Sequence, residues 1–481
     1  MIAHAKSTLR RLLPKNAFAR GVGILVGGTA GLQLLSLLTA PIYTRLYTPN
    51  DFGLLAVFTS LIALIAVIAS LRYELAIPLP EDDQEAANIV VLALLIVSGM
   101  AGVTLVVIAF LRQPIAAVLD VPQLADYLWL LPIGILLGGA YNVFNYWAVR
   151  TKNFTGITTT RIQQALVSIA LKLAGFKAGA VMLLLAHVTS QSIGATALGR
   201  AALQHPGFRG IRWSEIRRVA GRYRRFPLFS TWEGLFNTAG MQLPPLMFAG
   251  LFGPAAAGLY SLANAVLSLP MSLIGGAIGQ VFFASAAEAY RTGKLGSLIA
   301  QLHDKLAHIG MPPALVLMLL GPDLFSFVFG PQWRQAGDFA RWMAPWLYLV
   351  FVASPISTLF AVMERQKQGL AFQVILLVAR IIAILIGAWQ QNLELTIVLF
   401  AGVSALCWLG FLFWVAFITG NPAMTMIKPT LRAFGIALLC AAPIMAGYLV
   451  DAVGLQSWAL ILLLTTLLVS ARYWQLLRQA Y

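Results

Sequence analysis

The chain is written in apolar blocks. Stretches of about 20 residues with almost no charge recur along its length, each long enough to cross about 30 Å of hydrocarbon at about 1.5 Å per residue. A soluble fold cannot be covered from such a sequence. Charged residues make up 10% of the 481 positions, against about 25% in an ordinary soluble domain. The pattern predicts an all-α polytopic membrane protein of about fourteen transmembrane helices. They fall at 20–46, 54–77, 87–111, 124–149, 157–177, 179–200, 227–250, 255–284, 298–320, 341–363, 370–390, 394–418, 431–450 and 455–471. Turn chemistry marks several ends: Thr48-Pro49-Asn50, Gly253-Pro254 and Gly420-Asn421-Pro422. The basic stretch from Lys6 to Arg20 resembles a signal peptide, but the apolar run behind it continues to about Tyr43. That is too long for a cleaved segment, so it is read as the first span.

A net charge of +16 raises the question of nucleic acid, and the placement of the charge answers it. Arg45, Arg112, Lys172, Lys177, Arg334 and Arg341 fall on the side of the odd-numbered loops, and Arg161 and Arg380 fall within spans. Every other Lys and Arg of the 33 lies on the opposite side, with both termini. This is the positive-inside asymmetry of a membrane protein, and it predicts an inner-membrane chain with cytoplasmic termini. No nucleic acid partner is expected. Cys407 and Cys440 both sit inside apolar blocks, and the five His show no metal-ligand spacing, so no disulfide, metal or other cofactor is expected.

The organisation divides at the longest cytoplasmic link, 201–226. There Arg218, Arg222 and Arg225 share a helix face, while Trp213 and Ile216 are placed to dip into headgroups, which predicts a short interfacial helix. It separates an N-terminal lobe of six spans (1–200) from a second six (227–420), and 421–481 adds two helices and a tail. The halves carry a weak repeat: Pro49-Asn-Asp-Phe-Gly53-Leu54 and Pro254-Ala-Ala-Ala-Gly258-Leu259. An even number of helices per half makes the repeats parallel, an arrangement that places a substrate path between lobes.

Several stretches resemble a known family, the Wzx-type polysaccharide-transport flippases. These share a superfamily with the lipid II flippase and the multidrug and toxin extrusion carriers. The stretches are Pro41-Ile-Tyr-Thr-Arg-Leu-Tyr-Thr-Pro49-Asn-Asp-Phe-Gly53, Ser70-Leu-Arg72-Tyr-Glu74-Leu-Ala-Ile-Pro78, Asn145-Tyr-Trp147-Ala-Val-Arg150, Phe226-Pro227, Phe252-Gly253-Pro254-Ala-Ala-Ala-Gly258-Leu-Tyr260 and Gly279-Gln280-Val-Phe-Phe283. They run in family order over about the first 300 residues; the later spans match in hydropathy alone. The resemblance implies two pseudosymmetric six-helix lobes around a central cavity, here with two extra C-terminal helices. It implies carriage of an undecaprenyl-diphosphate-linked oligosaccharide to the outer leaflet by alternating access, without enzymatic chemistry. Membrane lipids, a polysaccharide polymerase and chain-length proteins are the partners it suggests.

A charge inside a span is costly unless it faces a cavity or a partner, so each is a site candidate. Arg380 is the deepest cation. Arg161, Gln164, Ser168 and Lys172 form one stripe of the fifth span, where lining a cavity and snorkelling to headgroups both fit. Arg72 and Glu74 lie near the cytoplasmic end of span two; two residues apart on a helix, they are not expected to pair. Glu233 is read as the clearest deep acid, followed by Asn237 and Gln242, and Tyr141-Asn142-Val-Phe-Asn145-Tyr146-Trp147 mixes amides and aromatics suited to sugars. Arg72, Asn145, Arg161, Gln164, Lys172 and Arg380 are therefore the substrate-binding candidates, and Glu233 and Glu74 the ion-coupling ones. A cation-coupled multidrug antiporter and a lipid II flippase share the architecture. A membrane enzyme of polysaccharide assembly would need catalytic residues in an outer loop, and the longest, about Gly321 to Ala340, offers Asp323, Arg334 and Asp338 without His.

Overall fold

The computed structural model describes residues 31–450 apart from 34, 37 and 272–275, together with 465 and 468–470. The basic N-terminal stretch, the start of the first span, Gly275 and nearly all of the fourteenth span lie outside the described residues, as do the side chains of Gln280 and Phe283. Among the described residues the regular structure is entirely helical. Two compact units divide the chain, Met1–Ser261 and Leu262–Tyr481.

The first unit holds helical residues up to 44 (α1), Pro49–Ala69 (α2), Asp83–Val118 (α3), Leu130–Arg150 (α4), Phe154–Ala174 (α5), Ala180–Leu203 (α6), Trp213–Arg222 (α7) and Thr231–Phe252 (α8). Local chemistry sets their ends. Thr48 and Asp51 form a reciprocal capping box at the start of α2, with Pro49 in the first turn. Asp51 also accepts the Ala180 amide at 3.0 Å, so one carboxylate caps two helices. Asp82 caps α3, Asn153 caps α5, and Gly253 closes α8 in a left-handed conformation (φ 85°). The helix Pro254–Pro270 (α9) begins in this unit and carries the unit boundary.

The second unit holds Gly276–Arg291 (α10), Leu295–Phe329 (α11), Arg334–Ala353 (α12), Gln366–Trp389 (α13), Leu393–Ile418 (α14) and Met424–Val450 (α15). Its core joins α11, α12 and α15 through Leu306, Leu315, Tyr348, Phe351 and Ala437.

Seven described helices are long and apolar enough to cross a membrane: Pro49–Ala69, Asp83–Val118, Ala180–Leu203, Leu295–Phe329, Gln366–Trp389, Leu393–Ile418 and part of α15. Their outward faces carry large bare side chains, among them Phe110 (80% exposed) and Phe417 (84%). Such surfaces suit acyl chains, not water. The helices α4, α5, α8 and α12 miss this criterion; α4, α5 and α8 carry Asn145, Arg161, Lys172 and Glu233, whereas Arg380 lies on α13, which meets it.

Three expectations need correction. Span two does not run to 77: α2 stops at Ala69, Leu71 and Arg72 turn left-handed (φ 49° and 62°), and Tyr73–Ala76 is a 3₁₀ turn. The outer loop at 321–340 is instead helical, α11 continuing to Phe329 and α12 starting at Arg334. Gly321, inside α11, serves packing: a Cβ there would stand 2.6 Å from the Gly337 carbonyl oxygen. The link 201–226 does form a helix, α7, but Ile216 and Val219 are buried against protein, and it is Trp213 that stays exposed.

Candidate functional site

Polar groups of the first unit converge where α2 ends. The left-handed turn at Leu71–Arg72 throws Arg72 and Glu74 onto the same side, and the Arg72 Nη1 lies 3.8 Å from the Glu74 Oε1. The expected separation of the two fails because the segment is not an α-helix there. Glu74 is 1% exposed. The Ser70 hydroxyl donates to its Oε2 and the Asn142 amide, from α4, donates to its Oε1 at 3.4 Å. Arg72 is more open, its side chain 26% exposed, and its Nε is buried without a hydrogen-bond partner among the described residues. The guanidinium rests on Gly234 of α8, where any Cβ would overlap it. Higher along the same helix pair, the Ser60 hydroxyl donates to the Gln242 side-chain oxygen at 2.9 Å.

This corner is braced from behind. Arg150, at the end of α4, donates to the Ile77, Pro80 and Glu81 carbonyls at 3.3, 2.5 and 3.2 Å and to Asp83 at 3.0 Å. The Tyr73 hydroxyl, between Arg72 and Glu74 in sequence, donates to the Ala220 carbonyl of α7 at 2.9 Å. Arg222 pairs with Glu85 at 2.8 Å, and the Tyr223 hydroxyl donates to the same carboxylate at 3.3 Å. Burial first, and then the Glu85 charge, push the Tyr223 phenol up, so it remains a donor at physiological pH. The basic linker helix is thus tied to the turn that carries Arg72 and Glu74.

The other predicted residues separate. Asn145 is half-buried on α4, with its Oδ1 buried and without a hydrogen-bond partner. Gln164 of α5 packs with Tyr141 of α4 against Gly194 of α6, where a side chain would overlap both. Arg161 is half-buried on the same helix. The Lys172 ammonium sits 5.2 Å over the ring of Tyr43, a cation–π contact, while the Tyr47 hydroxyl donates to the backbone carbonyl of the same residue at 2.7 Å. Glu233 is exposed and, among the described residues, makes no ion pair; the buried acid is Glu74.

Arg380 belongs to the second unit. Its guanidinium lies beside two aromatic rings that themselves meet edge to face, 4.9 Å from Trp346 and 5.4 Å from Phe400, and its Nε donates to the Ser404 hydroxyl at 2.9 Å. Three helices thereby share one cation. Nothing in the sequence marks Ser70, Gly234, Tyr43, Trp346, Phe400 or Ser404 as partners, since each pairing depends on which helices adjoin. Asn142 alone was visible, as an amide within a span.

Comparison with known proteins places these features in context. Residues 42–338 match the family described as polysaccharide biosynthesis protein. The chain is 25% identical over 411 residues to the succinoglycan biosynthesis transport protein ExoT of Rhizobium meliloti, covering 83% of this chain and 80% of that one. It is 27% identical over 208 residues to the lipopolysaccharide biosynthesis protein WzxC of Escherichia coli, covering 43% and 40%. Among solved structures, the lipid II flippase MurJ in an inward closed conformation shares the fold with a TM-score of 0.73 at 12% identity, over 95% of this chain and 99% of that one.

Proposed function

This chain belongs to the polysaccharide biosynthesis protein family, and on that premise we propose that it is a flippase for an undecaprenyl-diphosphate-linked oligosaccharide, carried from the cytoplasmic to the outer leaflet of the inner membrane. The likeness to a succinoglycan transport protein, along most of both chains, is the observation that carries this reading. The geometry supports it. Arg72, Lys172 and Arg380 each meet protein groups, Arg72 on Gly234, Lys172 over Tyr43 and Arg380 beside Trp346 and Phe400.

The roles follow from charge. Arg72, with an unsatisfied Nε and an open edge, is suited to receive a diphosphate, because guanidinium and phosphate pair through parallel charge-assisted hydrogen bonds. Asn145, Gln164 and Arg161 supply polar groups to the α4–α5 face, where sugar hydroxyls would be met. The prenyl chain stays in lipid. Alternation of the two lobes, 1–200 and 227–420, would move the headgroup across while both termini stay cytoplasmic.

One observation favours a second reading. A buried carboxylate such as Glu74 is what a cation-coupled antiporter of cationic drugs needs. Its neighbour Arg72 weighs against a cationic cargo at the same place. The experiment is deletion and complementation in the native host. Loss of the gene is expected to leave diphosphate-linked repeat units on the inner leaflet and to strip the surface polymer. Wild type restores export and Arg72→Ala at equal abundance does not. Drug sensitivity with normal surface polymer would favour the antiporter.

A further inference from the structure

Arg72 is poised rather than committed. Its contact with Glu74, at 3.8 Å, is far looser than a charge-assisted hydrogen bond of about 2.7–2.9 Å. Its Nε has no partner among the described residues, while Gly234, having no Cβ, leaves the guanidinium its present seat. The backbone that presents it is left-handed at two successive non-glycine residues, Leu71 and Arg72, a conformation kept only where the surroundings over-determine it. Glu74 is deeper, and its hydrogen-bond donors, Ser70 and the more distant Asn142, are neutral. Among the described residues, the charged and titratable groups facing it are Arg72 on its own turn and the Tyr146 phenol on α4; α3 and the turn Phe226–Ser230, which also pack here, add none.

We propose that the Glu74 carboxylate stands in for a phosphate, holding Arg72 in readiness until an incoming diphosphate takes the guanidinium from it. The proposal rests on the lipid-diphosphate reading above and adds a consequence. A phosphate can occupy both Arg72 Nη groups and the orphaned Nε, which Glu74 at its present distance does not. Once the guanidinium has turned to the ligand, a buried carboxylate is left with two neutral donors, and an uncompensated buried charge is strongly disfavoured. Glu74 then accepts a proton from water and becomes a neutral acid that can donate to Asn142 or keep the Ser70 hydroxyl as partner. Ligand binding and proton uptake at Glu74 are thereby linked, and by reciprocity acidification strengthens binding. In the free state the site carries one cation and one anion; in the loaded state the anion is the substrate's.

The test uses the full chain in nanodiscs with farnesyl diphosphate as the probe. Titration calorimetry in two buffers of different ionisation enthalpy gives the protons taken up per ligand, and subtracting the Glu74→Gln value removes the ligand's own titration. The wild type is expected to take up close to one proton more than Glu74→Gln near neutral pH, with Glu74→Gln binding at least as tightly. Equal proton numbers in the two proteins overturn the inference and leave the flippase reading standing. Absence of binding by the wild type overturns both. Gly234→Ala, which fills the seat of the guanidinium without breaking the helix, is expected to weaken binding at least tenfold, and unchanged affinity in that variant also overturns the inference.

Discussion

Gly53 lies directly against the backbone of Pro254, so close that any Cβ on it would overlap the Pro254 carbonyl. The relation is reciprocal, since a Cβ on Gly258 would overlap the Pro49 carbonyl and stand 2.8 Å from the Gly53 nitrogen. These are the proline and glycine of the two Pro-x-x-x-Gly-Leu copies read in the sequence. The repeat therefore has a physical cause. Each copy starts a helix with its proline and uses its glycine to admit the other copy's first turn.

Gly53→Ala and Gly258→Ala should each destabilise the protein by at least the ~1–3 kcal/mol typical of overpacking, because the opposing atoms are backbone and cannot rotate away. Thermal unfolding in detergent checks this. Gly102→Ala, on α3 with nothing within 4 Å, is the control and should leave the melting temperature unchanged or raised.

Arg150→Ala should reduce folded protein sharply, and Arg150→Lys nearly as much. The side chain is 10% exposed and holds three carbonyls and Asp83 with a planar fork that an ammonium cannot reproduce. Charge-assisted hydrogen bonds of this kind contribute about 1.5–3 kcal/mol each, so loss of the set lowers membrane abundance and the unfolding midpoint together.

Arg380→Ala is expected to act through structure. Removing the guanidinium takes the cation from the faces of Trp346 and Phe400 and removes the donor to the Ser404 hydroxyl, so stability should fall by about 1–3 kcal/mol, with export falling in proportion to abundance. A variant present at normal levels but inactive would instead give Arg380 a direct place in transport.

Glu233→Gln should leave export intact, whereas Glu74→Gln should alter its pH dependence. The first carboxylate is exposed; the second is buried beside a cation. Measuring polymer export across external pH for both variants checks the contrast.

Much of this was legible in the chain because helix ends are local chemistry. Thr48-Pro49, Gly253 and Gly420 announce their turns from sequence alone, and the linker's amphipathic face follows from spacing. What was not legible depends on neighbours. Nothing in Leu71-Arg72 signals a left-handed turn, since neither is glycine or asparagine, and without that turn Arg72 and Glu74 cannot meet. Gly321-Pro322 reads as punctuation, yet in a membrane helix the glycine admits a neighbour and the proline is tolerated. Arg380 and Ser404 are 24 residues apart on adjacent helices, a relation no periodicity contains.

The account turns on Arg72 receiving a diphosphate headgroup during passage of a lipid-linked sugar. Reconstitution into proteoliposomes with a fluorescent undecaprenyl-diphosphate oligosaccharide, followed by quenching from outside, measures that passage. Wild type should move the lipid between leaflets and Arg72→Ala at equal incorporation should not. Equal rates for the two proteins would contradict it.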